Sequence, residues 1–273
     1  MRQWAGLVLL ALAAVSCGQP QTAKTTPANP RHVFVIVMEN HSAAAALTGP
    51  YTASLAQQYG AAQNYHAVAH PSVPNYLALT SGSTWGVSDD SYHVLPKSDL
   101  GTQLTNAHVS WRAYMEGLTD RGCIDSPVPY DPGHNPFAYY GGRCPSNVVP
   151  LTDLGGDLSG STPRFVWITP DMCHDTHNCS VATGDTWLRS EVGQITASDA
   201  WKSGGVLFIT WEEDDGSTDN HVLTLVVAPG VGHRSSNRRY THYSLLATIE
   251  DLLVVGRLGQ AAGAAPMSDL LPS

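Results

Sequence analysis

The sequence predicts an α/β fold, a three-layer αβα sandwich around a mostly parallel sheet. Two observations carry this: unbroken apolar runs that recur along the chain, and helical stretches set between them. Runs rich in β-branched and aromatic residues, without polar alternation, belong to strands covered on both faces. Their separation by helices is the signature of a layered α/β domain.

The first run, His32–Met38, leads into Glu39-Asn40-His41, and the second, Arg164–Pro170, leads into Asp171. The third, Gly205–Trp211, leads into Glu212-Glu213-Asp214-Asp215, and a fourth, Val222–Ala228, stops at Pro229-Gly230. Helices are expected over Tyr51–Tyr59, Asn75–Ser81, Asp185–Ser203 and Tyr243–Val255. Residues 115–150 lack periodicity and are rich in Pro, Gly and Tyr, which marks an ordered excursion of the kind that often serves function. Three strands ending in carboxylates place a candidate site at the carboxyl edge of the sheet, where open α/β sheets bind ligands.

The chain opens with Arg2 and an apolar run, Leu7–Val15, too short to span a bilayer, followed by Ser16-Cys17. This pattern resembles a bacterial lipobox and predicts a signal peptide over 1–16 with lipid attached at Cys17. An ordinary cleaved signal is the alternative. Residues 17–31, polar and Pro-containing, read as the lipidated Cys and a flexible tether, leaving 32–273 as one domain. The chain is expected to be exported, to the outer face of the cell membrane as a lipoprotein and otherwise as a secreted protein.

The formal charge of −9 becomes −10 once Arg2 is removed, and the 14 basic residues form no cluster. Nucleic-acid binding is therefore not expected, nor is an obligate protein partner. Cys123, Cys144, Cys173 and Cys179 remain beyond Cys17, and an exported chain with an even number favours two disulfides. Proximity suggests Cys123–Cys144 and Cys173–Cys179. The alternative for the 173–179 stretch is a thiolate zinc cluster.

Ser72 precedes a helix opened by Pro74, so free N–H groups face it and suit a nucleophile that attacks phosphate. A plain helix-capping serine is the other reading. A serine hydroxyl needs a base or a metal to act near neutral pH. Glu39, Asn40, Glu212 and Glu213 supply hard oxygen ligands for a divalent cation against Ser72, which favours Mg, Mn or Ca, with Zn as the alternative.

Five stretches then occur in a specific order: Met38–Ser42, His70–Tyr76, Thr169–Asp171 with Asp175 and His177, Thr210–Glu213, and Thr241–Leu246. Together they resemble the bacterial and fungal phosphoesterase family, within the alkaline phosphatase superfamily, from about His32 to Leu253. The resemblance implies a phosphoserine intermediate at Ser72, with Glu39–Asn40 and Glu212–Glu213 as the two metal-ligand pairs. Glu212 departs from the usual Asp and reaches one methylene further. His134, in His134-Asn135-Pro136-Phe137, also matches a family motif and is expected, with Asp171 and Asp175, to border the substrate.

His174, His177 and His221 are candidates for protonating the leaving group. Asp171, Asp175, His177 and His221 offer a second metal set, although relatives with the Glu-Asn pair look like single-metal enzymes. His242 is expected to be structural. The sequence thus points to an acid phosphatase-type phosphomonoesterase acting on a small phosphorylated substrate. A phospholipase C-like diesterase is the alternative, less favoured because those relatives are longer, and a non-catalytic binding lipoprotein is the rival of another class.

Overall fold

The computed structural model describes Met1 and residues 32–217 and 219–272. The signal, Cys17 and tether expectations lie outside those residues. Ten strands form in chain order: β1 (Val33–Met38), β2 (Gly60–Ala62), β3 (Tyr65–His66), β4 (Trp111–Met115), β5 (Val148–Pro150), β6 (Phe165–Thr169), β7 (Val206–Trp211), β8 (Thr224–Val227), β9 (Arg234–Ser236) and β10 (Tyr240–Thr241). Eight of them make one sheet in the order β5-β4-β6-β1-β7-β8-β2-β9, and β10 pairs with β3.

The five strands from β5 to β7 are all parallel. Every residue of β1, β6 and β7 is buried, as their unbroken apolar sequences require. The fourth apolar run runs antiparallel to β7. Among the described residues no helix intervenes to carry the chain back to the other edge of the sheet, so it returns directly.

Helices Ser72–Ser81, Leu100–Asn106 and His242–Leu253 pack together, as do Pro50–Gln58, Leu154–Ser159 and Val181–Ala197. These groups are the two outer layers. The expected Asp185–Ser203 helix breaks at Ser198, whose extended backbone (φ −71°, ψ 153°) caps a short helix at Asp199–Lys202. Asp185 is buried and ties the two helices of its layer, accepting from the Thr52 amide at 2.7 Å and the Tyr51 amide at 3.0 Å.

The register of the central strands positions the site. Met38 lies opposite Trp211, and the Glu212 amide donates to the Met38 carbonyl at 3.0 Å. The residues that follow, Glu39 and Glu212, therefore emerge side by side from the carboxyl edge of the sheet.

Candidate active site

Glu39, Glu212 and Glu213 leave the strand ends and are buried, Glu39 and Glu212 completely. Asn40 turns the chain away directly behind Glu39 through a left-handed backbone (φ +49°). Ser72, 7% exposed, starts the helix that faces these strand ends. Its Oγ donates to Glu213 Oε1 at 3.0 Å and lies 3.4 Å from Glu39 Oε2. The structure thus brings the proposed nucleophile and the proposed acidic ligands together.

The loop ahead of Ser72 is held by Asn75. Its Oδ1 accepts from the Val68 and Ala69 amides at 3.0 Å each, and its Nδ2 donates to the Ala69 carbonyl at 2.8 Å. Asn220, with φ +48°, donates to that same carbonyl at 2.7 Å and accepts from the Asp214 amide at 2.9 Å. Asp214 itself accepts from the Gly216 and Ser217 amides, so this member of the acidic run shapes its turn. Asp215 is exposed.

Glu39 Oε1 accepts from the Tyr76 hydroxyl at 2.6 Å and lies 3.3 Å from His134 Nε2. The other ring nitrogen of His134, Nδ1, lies 3.2 Å from Asp175 Oδ2. The ring also stacks on Tyr76, with centroids 5.3 Å apart. Burial alone pushes the His134 pKa down, but the Glu39 charge and the hydrogen bond and charge of Asp175 outweigh it and lift it to about 9. Where Glu39 and Asp175 are ionised, they favour the protonated ring of His134.

Burial first, and the neighbouring Glu212 second, push the Glu39 carboxyl well above the usual carboxylate range. Burial also raises Glu212 well above that range, with Glu213 adding to the effect and Glu39 and Ser72 opposing it. Glu213 is raised by burial against hydrogen bonds from Ser72 and His70.

Both Glu212 oxygens are buried and accept no well-formed hydrogen bond. A fully buried carboxylate in that state is poorly solvated, and a cation is the natural partner for it. The oxygen-rich donor set of Glu39, Ser72, Glu212 and Glu213 fits a divalent metal. Glu39, His134 and Asp175 also each offer a ligand atom, all within 4.8 Å of one another.

The remaining sequence candidates separate. Asp171 and His174 join Glu116 in a second group whose ligand atoms lie within 4.8 Å of one another, with His174 Nδ1 3.0 Å from Glu116 Oε2. His177 is exposed, its ring 6.0 Å from that of His134. His221 bonds the Gln63 carbonyl at 3.0 Å and packs against His66 at 5.2 Å. Asp171, Asp175, His177 and His221 are thus not assembled as one metal set. Disulfides join Cys123 to Cys144 and Cys173 to Cys179, so the sulfurs of the 173–179 loop are bonded to each other, not free for zinc. His242 is fully buried, accepting from or donating to the Tyr65 hydroxyl at 3.0 Å and bonding the Glu212 carbonyl at 2.6 Å, a structural role.

Sequence reasoning gave no role to Tyr76, His70 or Glu116, although His70 and Tyr76 bound one of the five family stretches. Tyr76 had a signal, since it lies four residues after Ser72 and so on the same helix face. His70, exposed, hydrogen-bonds Glu213 Oε2 through Nδ1 and the Ser217 carbonyl through Nε2 at 3.1 Å.

The profile of the Phosphoesterase family matches residues 44–255. A phosphatidylinositol-3-phosphatase of Mycobacterium tuberculosis is 30% identical over 262 residues, covering 92% of this chain and 87% of that protein. A phosphate-repressible acid phosphatase of Penicillium chrysogenum is 26% identical over 205 residues, 68% of this chain and 50% of that protein. The chain spans about half the length of this fungal relative. Among solved structures, an alkaline phosphatase superfamily protein from Vibrio parahaemolyticus superposes with a TM-score of 0.60 at 13% identity, covering 88% of this chain and 72% of that one. That likeness is one of fold, and it agrees with the expected α/β sandwich. The profile match over most of the chain and the near full-length mycobacterial relative make this chain a member of the Phosphoesterase family, a hydrolase of phosphoric esters.

Proposed function

We propose that the chain is a metal-dependent phosphomonoesterase of the acid phosphatase kind, working through a phosphoserine at Ser72. The observation that supports this most is the setting of the Ser72 hydroxyl. It starts a helix, donates to Glu213, approaches Glu39 and faces a strand end where Glu212 is buried with neither oxygen paired.

As the Oγ–P bond forms and the ester P–O bond breaks, the Oγ proton has an acceptor already in place at Glu213 Oε1. Glu39, Asn40, Glu212, Glu213 and the Ser72 Oγ would hold a divalent cation, Mg, Mn or Ca preferred, which would supply a lower hydroxyl pKa and positive charge for the phosphoryl oxygens. Protonated His134 contributes positive charge beside Glu39. His177 is exposed near His134 and suits the role of donor to the departing alkoxide. His174, Asp171 and His221, bonded elsewhere, are placed to shape the surrounding loops. Water then cleaves the serine ester and releases inorganic phosphate.

The names of the relatives in M. tuberculosis and P. chrysogenum both denote phosphatases, which favours monoesters, a lipid headgroup phosphate included. The two disulfides suit an oxidising compartment, in keeping with export and a lipid anchor at Cys17. Among the described residues no helix is long and apolar enough to cross a membrane.

The test is a panel of an aryl monoester, an aryl diester, phosphatidylinositol 3-phosphate and phosphatidylcholine, run on the wild type and Ser72→Ala. Monoester turnover that vanishes in the alanine variant is expected, together with covalent phosphate at Ser72 in quenched wild type. Full activity of Ser72→Ala refutes the nucleophile, and faster turnover of the diesters refutes the monoester preference.

A further inference from the structure

The helix that begins at Ser72 carries few free amides at its front. Pro74 has no N–H, and the capping position is Pro71, which offers no side-chain hydrogen bond. The cap comes from a distance instead. Asp90, seventeen residues beyond Val73, accepts from the Val73 amide through Oδ1 at 3.1 Å.

Val73 directly follows the proposed nucleophile. A phosphoryl group joined to Ser72 Oγ carries non-bridging oxygens towards the amides of this first turn, the donors a helix start offers to an anion. The Asp90 carboxylate therefore sits on a donor that a phosphoryl oxygen would take. It also adds negative charge to a crowded acidic site.

The loop around Asp90 is anchored by other residues. Trp85 Nε1 donates to Ser81 Oγ at 2.9 Å, and the Tyr92 hydroxyl donates to the Ala138 carbonyl at 3.0 Å. Asp89 Oδ1 accepts from the Ser91 amide at 2.8 Å and lies 2.9 Å from His93 Nε2. Asp90 is exposed, and its carboxylate makes a single hydrogen bond. It can leave the Val73 amide by rotating its own side chain, without moving the loop.

We propose that Asp90 tunes phosphate affinity: its carboxylate competes with phosphoryl oxygens for the Val73 amide and so weakens the hold on inorganic phosphate. This rests on the reading of Ser72 as the nucleophile. Bound phosphate and substrate both displace the carboxylate, so its effect falls on ground-state binding and product release, not on the bond-breaking step.

The test uses the metal-loaded enzyme, with Asp90→Ala and Asp90→Asn. Inhibition constants for inorganic phosphate and for vanadate are measured against an aryl monoester, alongside melting temperatures. Losing a charged competitor for one donor is expected to tighten phosphate binding by about tenfold in Asp90→Ala. Asp90→Asn keeps the acceptor but not the charge and is expected to fall between. It carries the test alone should the alanine variant fail to fold. A KM that falls with the phosphate inhibition constant, while kcat holds or declines, is the expected pattern. Unchanged or weaker phosphate inhibition in the variants, with only a lower melting temperature, means Asp90 is a helix cap and overturns the proposal. Locating the covalent phosphate in wild type separates the two readings. Phosphate on Ser72 with unaltered inhibition refutes Asp90 alone, whereas phosphate on another residue removes the ground for both.

Discussion

Removing the proposed metal should destabilise the folded protein, and the size of the effect can be traced to Glu212. Its side chain is wholly buried with neither oxygen in a well-formed hydrogen bond, beside Glu39, which is also wholly buried. Leaving one buried charge without compensation costs about 3–5 kcal/mol. At roughly 2–4 °C per kcal/mol for a domain of this size, chelation is expected to lower Tm by about 6–20 °C at pH 8. The pH dependence has a definite sign. Glu39 and Glu212 titrate above their unfolded range in the metal-free fold, so that fold holds more protons than the unfolded chain. Their contribution is present below the unfolded carboxylate pKa and is lost as pH rises towards the folded values. The gap between metal-loaded and metal-free Tm should thus widen from pH 5 to pH 8. Glu212→Gln removes the charge at nearly constant shape and should shrink that gap by about half. Calorimetry of loaded and chelated protein, wild type and variant, at both pH values provides the measurement. Equal melting with and without metal at pH 8, or a gap indifferent to Glu212→Gln, would refute the reasoning.

Tyr76→Phe removes the 2.6 Å hydrogen bond to Glu39 and should weaken metal affinity about ten- to a hundredfold, read by titration calorimetry, with little change in fold. Replacing Cys173 and Cys179 by Ser opens a loop of sequence separation 6 that carries Asp175 and His177. Chain entropy assigns that loop about 2 kcal/mol, against about 3 kcal/mol for Cys123–Cys144 at separation 21. Misplacing Asp175 behind His134 should cost about a hundredfold in kcat, so turnover should fall far more than Tm; parallel losses would argue otherwise. Burial pushes the His242 pKa down to about 4, so the fold keeps it neutral while the unfolded chain takes up a proton. Stability present above pH 6.5 is expected to drain away by about 3 kcal/mol as pH falls through 4, and urea midpoints for His242→Gln should show a flatter acid limb than wild type.

The parts of this site that could be read from the sequence are those fixed by strand chemistry. His32–Met38 and Gly205–Trp211 are too apolar and β-branched to be anything but buried strands, so the carboxylates after them had to emerge at a sheet edge. That Glu39 and Glu212 become neighbours depends on the Met38–Trp211 register, which only the assembled sheet supplies. β4 gave no such warning. It is five residues long with Arg112 inside it, so Glu116 at its end carried no strand-end signal. The direction of β8 was equally silent, because an apolar run has the same composition whichever way it is traversed. His134 illustrates the limit most clearly. Its motif marked it as important, but its chemistry comes from Glu39 and Asp175, brought in from other segments of the chain. Alone, an imidazole buried this deeply would lose its proton; between those carboxylates it keeps it. What a residue does here is set less by its own type than by the charges that folding brings to it. Strand ends can be anticipated from composition, whereas the partners of His70, His134 and Asp90 are consequences of loop packing that no local pattern encodes.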